Sequence, residues 1–359
     1  MLFTDSNIIR LDFGEPSFPP PDEAKAEAIK YITNPICQYE SVLGNHTLRE
    51  MIANKYNVNL ELVSITSGGL MGIHSVIKTL FQRGIKNIYY PNPGFPPYQY
   101  IDTLLTVKTI PYNFIDNELF KNELNTIVSA INEKSVFIIT SPNNPNGLVL
   151  EDNDWKEIFS LLENHYIIID NSFIDFEFHS KKSAIQFGNN IFRIFSFSKS
   201  YSLADYRVGY VISPNEELSS KVSLNHWNEQ LSVSTISQRA AVGALKAKNE
   251  YLIKNKEYIK NNLYYAVDLL NRNNIKVSMP EGGFFLWINI SDLKMNAKDF
   301  VNGCLLDKKL SLIAGDSFGS NGKDHIRINC ATDLMSLKEG LIRFISFYKE
   351  RISENGVRI

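Results

Sequence analysis

Apolar residues along this 359-residue chain fall into two textures. Through the middle, short runs are apolar at nearly every position and end at turn residues: LVSITSGG, KNIYYPNPG, SVFIITSPNNPNG, YIIIDNSF, IFRIFSFSKS and YRVGYVIS. Strands apolar on both faces belong in a sheet covered on both sides, and such sheets are mostly parallel. Between these runs lie stretches with apolar residues near every 3.6 positions, such as LMGIHSVIKTLFQRG and NDWKEIFSLLENH, which predict helices. Strand alternating with helix predicts an α/β architecture with right-handed crossovers. A long helical region is expected from about Ser237 to Arg272. Beyond it, IKVSMPEGGFFLWINI, a helix, SLIAGDSF, HIRINCA and a last helix predict a small α+β domain. The N-terminal IRLDFGEPSFPPP is extended and too proline-rich for a helix, and is expected to lie across the surface between domains.

Composition narrows the function classes. With 44% hydrophobic and 21% charged residues the chain reads as a folded globular protein. A net charge of -2 without a dense Lys/Arg block leaves no electrostatic footprint for nucleic acid. No apolar run reaches the roughly 18 residues that span a membrane, and the start, MLFTDSNIIRLDFGEP, lacks the basic and apolar regions of a signal peptide. Cys37, Cys304 and Cys330 are far apart and odd in number, so neither a disulfide framework nor a metal site is predicted, and a cytoplasmic location is expected. The six histidines show neither HxxxH nor HExxH spacing, which also argues against a metal.

The unusual residues fall at the C-terminal ends of the predicted strands: Gly68 and Gly69, Phe95, Asn144, Asp170 and Lys199. In an open parallel sheet that edge is where ligands bind. Lys199, in IFSFSKSYSLADYRVGY, has hydroxyls at Ser196, Ser198 and Ser200 and a second cation, Arg207, eight residues on. Clustered cations and hydroxyls suit a phosphate, and a neighbouring cation lowers a lysine's pKa and frees its amine as a nucleophile. The ordinary alternative is a solvated lysine at a strand end. TSGGLMG is either a tight strand-to-helix turn or a phosphate site, with glycine N–H groups and a helix N-terminus aimed at an anion. SPNNPNG is a turn sequence that places Asn144 at the sheet edge. Asp170 ends an apolar strand and needs a partner, either as a helix N-cap or against a protonated ring nitrogen. Phe95, among prolines, either packs or stacks on a flat heteroaromatic ring. Taken together, a phosphate cradle, a lysine nucleophile, a buried aspartate, an asparagine and a stacking aromatic predict a site for pyridoxal 5'-phosphate.

On these motifs the chain resembles the class I/II aminotransferases, the fold-type I pyridoxal phosphate-dependent enzymes, over nearly its whole length. SFSKSYSLADYRVGY is similar to that family's SxSKxxxxxGxRxGY. The resemblance implies that Lys199 forms the internal aldimine, with Ser196, Arg207, Gly68 and Gly69 at the phosphate. It makes Asn144 the contact to the ring hydroxyl, Asp170 the partner of the pyridine nitrogen and Phe95 the stacking residue. QYESVLGNHTLREMIA resembles the segment in which Tyr39 reaches the phosphate of a neighbouring subunit, which implies a homodimer with composite sites. Gly14 falls near the substrate, and Arg327 of HIRINCA takes the substrate carboxylate. The implied fold is a large domain, with a mostly parallel seven-stranded sheet between helices, and a small α+β domain. The expected division is an N-terminal segment (1–44) belonging to the small domain, a large cofactor-binding domain (45–275) and the C-terminal small domain (276–359).

The sequence departs from the family pattern at Phe173, where the family has a tyrosine, and at Asn171, Ser172, Asp205 and Asn146. The resemblance implies an aminotransferase on an α-amino acid, whereas these departures point towards the alternative. The alternative is a lyase, decarboxylase or amino-acid cyclase on the same scaffold. The resemblance also covers cofactor-binding transcription regulators with an added N-terminal DNA-binding domain, against which the early position of IRLDFGEPSFPPP argues.

Overall fold

A computed structural model describes residues 7–103, 105–178 and 187–354. A short strand β1 (Ile9–Arg10) precedes seven strands of one sheet: β2 (Val63–Thr66), β3 (Asn87–Asn92), β4 (Lys108–Asn113), β5 (Val136–Thr140), β6 (Tyr166–Asp170), β7 (Ile191–Ser196) and β8 (Gly209–Ile212). Their order is β2-β8-β7-β6-β5-β3-β4. β7, β6, β5, β3 and β4 pair in parallel, while β8 runs antiparallel to both its neighbours. The link from β7 to β8, residues 197–208, carries only the four-residue helix Phe197–Ser200. That is too short for a crossover, so the chain turns back as a hairpin.

The apolar strands are apolar because both faces are covered. On one face Ile138, Ile168 and Ile194 pack with Ile73, Val76 and Leu80 of the helix Gly69–Phe81. On the other, Phe137, Ile139, Ile167 and Ile169 pack with Phe120, Leu124, Trp155 and Ile158 from the helices Asn117–Ala130 and Asp152–Leu161. Fully burying one such side chain contributes about 1.5–3 kcal/mol.

Four further strands follow: β9 (Phe285–Asn289), β10 (Leu310–Ser311), β11 (Ile313–Ala314) and β12 (His325–Asn329). β11, β12 and β9 form a three-stranded antiparallel sheet in that order. Phe300 and Phe344 of the helices Ala297–Lys308 and Leu334–Glu354 join its core, so an α+β unit is present.

Two expectations need correction. The long helical region is two helices, Thr235–Lys246 and Asn249–Arg272, broken at Ala247–Lys248. No proline or glycine marks the break. The first helix packs in the core of the large sheet with Ala24 and Ala28 of the helix Asp22–Thr33, whereas Ile259, Leu263 and Leu270 of the second enter the C-terminal core. One straight helix cannot serve both. The N-terminal segment, for its part, passes between the two parts of the molecule without being a surface strap. β1 pairs with β10, Leu11 is fully buried, and its backbone bonds to Ser311 and Asn329. Within residues 1–44, expected as part of the small domain, Ala24 and Ala28 pack in the core of the large sheet.

Among the described residues, no helix is long and apolar enough to cross a membrane, and no cluster of three or more His, Cys, Asp or Glu is placed to hold a metal.

Candidate active site

The strands β2, β3, β5, β6 and β7 all end on one edge of the sheet, and the predicted residues follow those ends. Gly68 leaves β2 with φ +83°, a conformation that favours glycine, and caps the helix Gly69–Phe81. A Cβ on Gly68 would come within 2.6 Å of Nη2 of Arg207, so the guanidinium lies directly against this turn. Arg207 itself is exposed, with φ +51°, and donates to the Ala204 carbonyl at 2.9 Å. Ser196 ends β7, and its Oγ accepts from the Ser198 amide at 3.2 Å. Gly69 lies close to Ser196 and to the Ser172 hydroxyl. Glycine amides, a 13-residue helix N-terminus, a serine and an arginine thus converge on one spot, a cradle for a phosphate-sized anion. Behind it, the buried His226 Nε2 accepts the Ser67 amide at 3.0 Å.

Next to this cradle is a cavity of about 290 Å³ lined by Lys199, Asp170, Asn144, Phe95, Arg327 and Gly14 among others. Asp170 is buried at the end of β6 and accepts from Tyr98 Oη at 2.6 Å and from the Ser172 amide at 2.9 Å. It caps no α-helix. The Tyr98 hydroxyl is held far above its ordinary pKa by burial and by Asp170, so it remains a donor. Lys199 Nζ donates to the Gly14 carbonyl at 2.5 Å. Burial first, then the positive Arg327, and more weakly Arg207, bring its pKa down to about 8, against the opposing pull of Glu15 and Asp170. Arg327 is buried on β12. Its Nη1 donates to Asn144 Oδ1 at 2.9 Å and its Nη2 to the Asp12 carbonyl at 2.5 Å. Its Nε is buried with no partner, and burial pushes its pKa down to about 9. The guanidinium lies 4.0 Å from the Phe285 ring centre and 4.9 Å from that of Phe318.

The sequence therefore brought six of its candidates to the cavity and four to the adjoining turn. Tyr39 joins neither. It is 76% exposed and lies in a T-shaped contact with the Trp227 ring. The departures from the family pattern have separate places. Phe173 and Ser172 line the cavity. Asn171 takes the guanidinium of buried Arg193 at 3.1 Å. Asn146 ties the Ser141–Gly147 loop to the Phe114 carbonyl at 2.7 Å, and Asp205 is exposed. Tyr98, Phe285, Ile313, Phe318 and His226 went unrecognised in the sequence. Only Tyr98 carried a local signal, three residues after Phe95 in GFPPY.

A cofactor with a phosphate, an aromatic ring and a carbonyl fits these residues. The cradle takes an anion, Asp170 and Phe95 flank a slot, Lys199 offers a partly deprotonated amine, and Arg327 keeps an unpaired N–H for a carboxylate.

The arrangement is that of a pyridoxal phosphate enzyme, and comparison with known proteins names the class. The family model "Aminotransferase class I and II" matches residues 6–344, and the chain belongs to that family, which transfers amino groups with pyridoxal phosphate. It is 30% identical to the (5-formylfuran-3-yl)methyl phosphate transaminase of Methanocaldococcus jannaschii, covering 95% of this chain and 91% of that protein. It is 27% identical to an aspartate aminotransferase of Pyrococcus horikoshii, covering 94% and 90%. The crystal structure of an aspartate aminotransferase from Thermotoga maritima shares the fold, with a TM-score of 0.85 at 24% identity over 95% of this chain and 92% of that one. These relatives are named transaminases, so the lyase, decarboxylase or cyclase alternative is not favoured.

Proposed function

We propose that Lys199, Asp170, Asn144 and Arg327 carry an amino-group exchange on an α-amino acid, with the phosphate of pyridoxal phosphate held by Gly68, Gly69, Ser196 and Arg207. The observation that carries this reading is the convergence on one cavity of Asp170 at the end of β6, Lys199 in the short helix after β7, and Arg327 on β12, which comes from the distant C-terminal sheet. When bound, the cofactor supplies an electrophilic carbonyl and an aromatic ring that draws electrons from the substrate's α-carbon.

The chain's own residues do the rest. Arg327 orients the substrate through its α-carboxylate, a charge-assisted pairing that the guanidinium fork favours. Asn144, whose Oδ1 accepts from Arg327, would have its amide NH₂ left to donate to the ring hydroxyl. Asp170, fixed by Tyr98 and the Ser172 amide, holds a proton on the ring nitrogen. Lys199, whose amine is partly neutral near pH 7, takes the α-proton as general base. Phe95 and Phe173 line the cavity with apolar surface.

Asp170→Asn tests this assignment. The variant should fold and retain the cofactor while losing most of its turnover. Activity near that of the parent would refute the role of Asp170.

The names of relatives leave the substrate open, since they include aspartate, N-acetyl-LL-diaminopimelate and a furan phosphate. A homodimer is part of the proposal. Ile32, Ile36, Tyr39 and Val42 form an exposed apolar stretch that a second copy would cover, with Tyr39 directed to the partner's phosphate. A fully active monomer by light scattering would refute that arrangement. The free thiols, Cys37 exposed and Cys304 and Cys330 buried, support a cytoplasmic location.

A further inference from the structure

The helix Glu216–Gln230 carries a buried polar seam. Ser219, Ser223 and His226 follow one another at spacings of four and three, which places them on one face of the helix, and all three are buried. The seam runs alongside β2 and the turn that leaves it. Ser219 and Ser223 bond through their hydroxyls to Ser64 Oγ at 3.1 and 2.6 Å. Three residues after Ser64, the Ser67 amide donates to His226 Nε2 at 3.0 Å. The same helix is tied to the element after the turn, because Asn225 donates to Thr79 Oγ1 and Gln82 Oε1 at 2.9 and 3.1 Å. A buried polar group is costly unless it is paired, and an apolar side chain would pack here without that cost. What the histidine adds is an acceptor aimed at one backbone N–H.

That N–H belongs to the turn of the phosphate cradle. The peptide between Thr66 and Ser67 is held at both ends, its N–H by His226 and its carbonyl by the Gly68 amide at 2.8 Å. Thr66 Oγ1 donates to the Gly68 carbonyl at 3.0 Å. β8 abuts the turn at Gly209, where a Cβ would come within 2.9 Å of the Gly69 nitrogen. Of these restraints, His226 is the one side chain that reaches the turn from a distant element. For Nε2 to accept, the imidazole must be neutral with its proton on Nδ1, and burial favours that form against the opposing pull of Glu229. Backbone N–H groups bind an anion when the turn that carries them is set in the right orientation.

We infer that His226 is a positioning residue for the cofactor, which by taking the Ser67 N–H fixes the backbone turn that receives the phosphate. The inference rests on the reading that Gly68, Gly69, Ser196 and Arg207 hold that phosphate.

The test uses the cofactor-free protein and two ligands, pyridoxal 5'-phosphate and pyridoxal, which share the ring and the aldehyde and differ in the phosphate alone. Their dissociation constants are measured by absorbance titration for the parent, His226→Gln and His226→Met. Glutamine and methionine have side chains of the same length, and only glutamine offers a strong acceptor. His226→Met should bind pyridoxal 5'-phosphate about tenfold more weakly than the parent, the factor expected for one lost hydrogen bond. His226→Gln should stay within about threefold of the parent, because its carbonyl oxygen can take the same N–H. Pyridoxal should bind all three alike. If His226→Met does not fold, His226→Asn replaces it, with an amide one carbon too short to reach Ser67. Unchanged affinity for the phosphorylated ligand in the variant without the acceptor would overturn the inference. So would an equal loss for both ligands, which would show general damage to the site, or a glutamine variant as weak as the methionine one, which would show that ring shape matters and not the acceptor. A parent protein that binds the two ligands equally would refute the phosphate cradle itself, and this inference with it.

Discussion

Lys199 offers the most direct check on the electrostatics of the site. Its amine is brought down to about 8 by burial and by the neighbouring Arg327 and Arg207. At that value about 10% of the amine is neutral at pH 7, against about 0.03% for an ordinary lysine, a difference of roughly 300-fold. Competitive reductive methylation of the cofactor-free protein with formaldehyde, read by peptide mass, compares Lys199 with exposed lysines in one sample. Its labelling rate should rise about tenfold per pH unit and then level off near pH 8, where exposed lysines are still climbing. Arg327→Gln removes a positive charge next to the amine and should move that bend to higher pH. The order of causes matters here: because burial outranks Arg327, the bend should stay below that of an exposed lysine even in the variant. A rate that climbs without a bend to pH 10, or a bend that moves down in Arg327→Gln, would refute the reasoning.

Three further predictions concern other groups. Tyr98→Phe deletes the donor to buried Asp170 and should lower the stability of the cofactor-free protein by about 1.5–3 kcal/mol, measured by urea unfolding; an unchanged midpoint would show that Asp170 finds another donor. Phe173→Tyr would place a hydroxyl at the edge of the cofactor slot, and a new hydrogen bond of about 1.5–3 kcal/mol to the ring oxygen should shift the colour change of the bound cofactor about one to two pH units lower, whereas an unmoved titration would mean that residue 173 does not face the ring. His74, His165, His226 and His325 are all pushed below their ordinary pKa by burial. The unfolded chain therefore binds more protons at mildly acidic pH, so the stability these residues contribute is present above about pH 6.5 and is lost as pH falls through their folded values. The urea midpoint should be lower at about pH 5.5 than at about pH 7.5, and equal midpoints would contradict this.

The residues proposed to bind by local chemistry could be read from the chain itself. Gly68 must be a glycine because the turn takes a positive φ, and that turn adjoins a strand and opens a helix, an order visible in TSGGLMG. The apolar character of β5, β6 and β7 announces a sheet covered on both faces, and with it the edge at which Asn144, Asp170 and Lys199 emerge. The composition of a strand reflects its two neighbouring layers, so these features survive in the one-dimensional pattern.

What remained hidden depends on distant pairings. The break at Ala247–Lys248 has no local cause and follows from two separate cores claiming the two helices. Leu11 reads as part of an extended strap until Ser311 and Asn329 bond its backbone. Tyr98 reads as one more aromatic until the fold brings its hydroxyl to a carboxylate 72 residues away. Ile313 and Phe318 look like ordinary core residues, and only the register of β11 on β12 sets Ile313 beside Arg327. The motif residues thus determined what chemistry this protein can hold. The pairing of strands far apart in sequence decided which side chains surround it, because burial and register are properties of the neighbours and not of the residue itself.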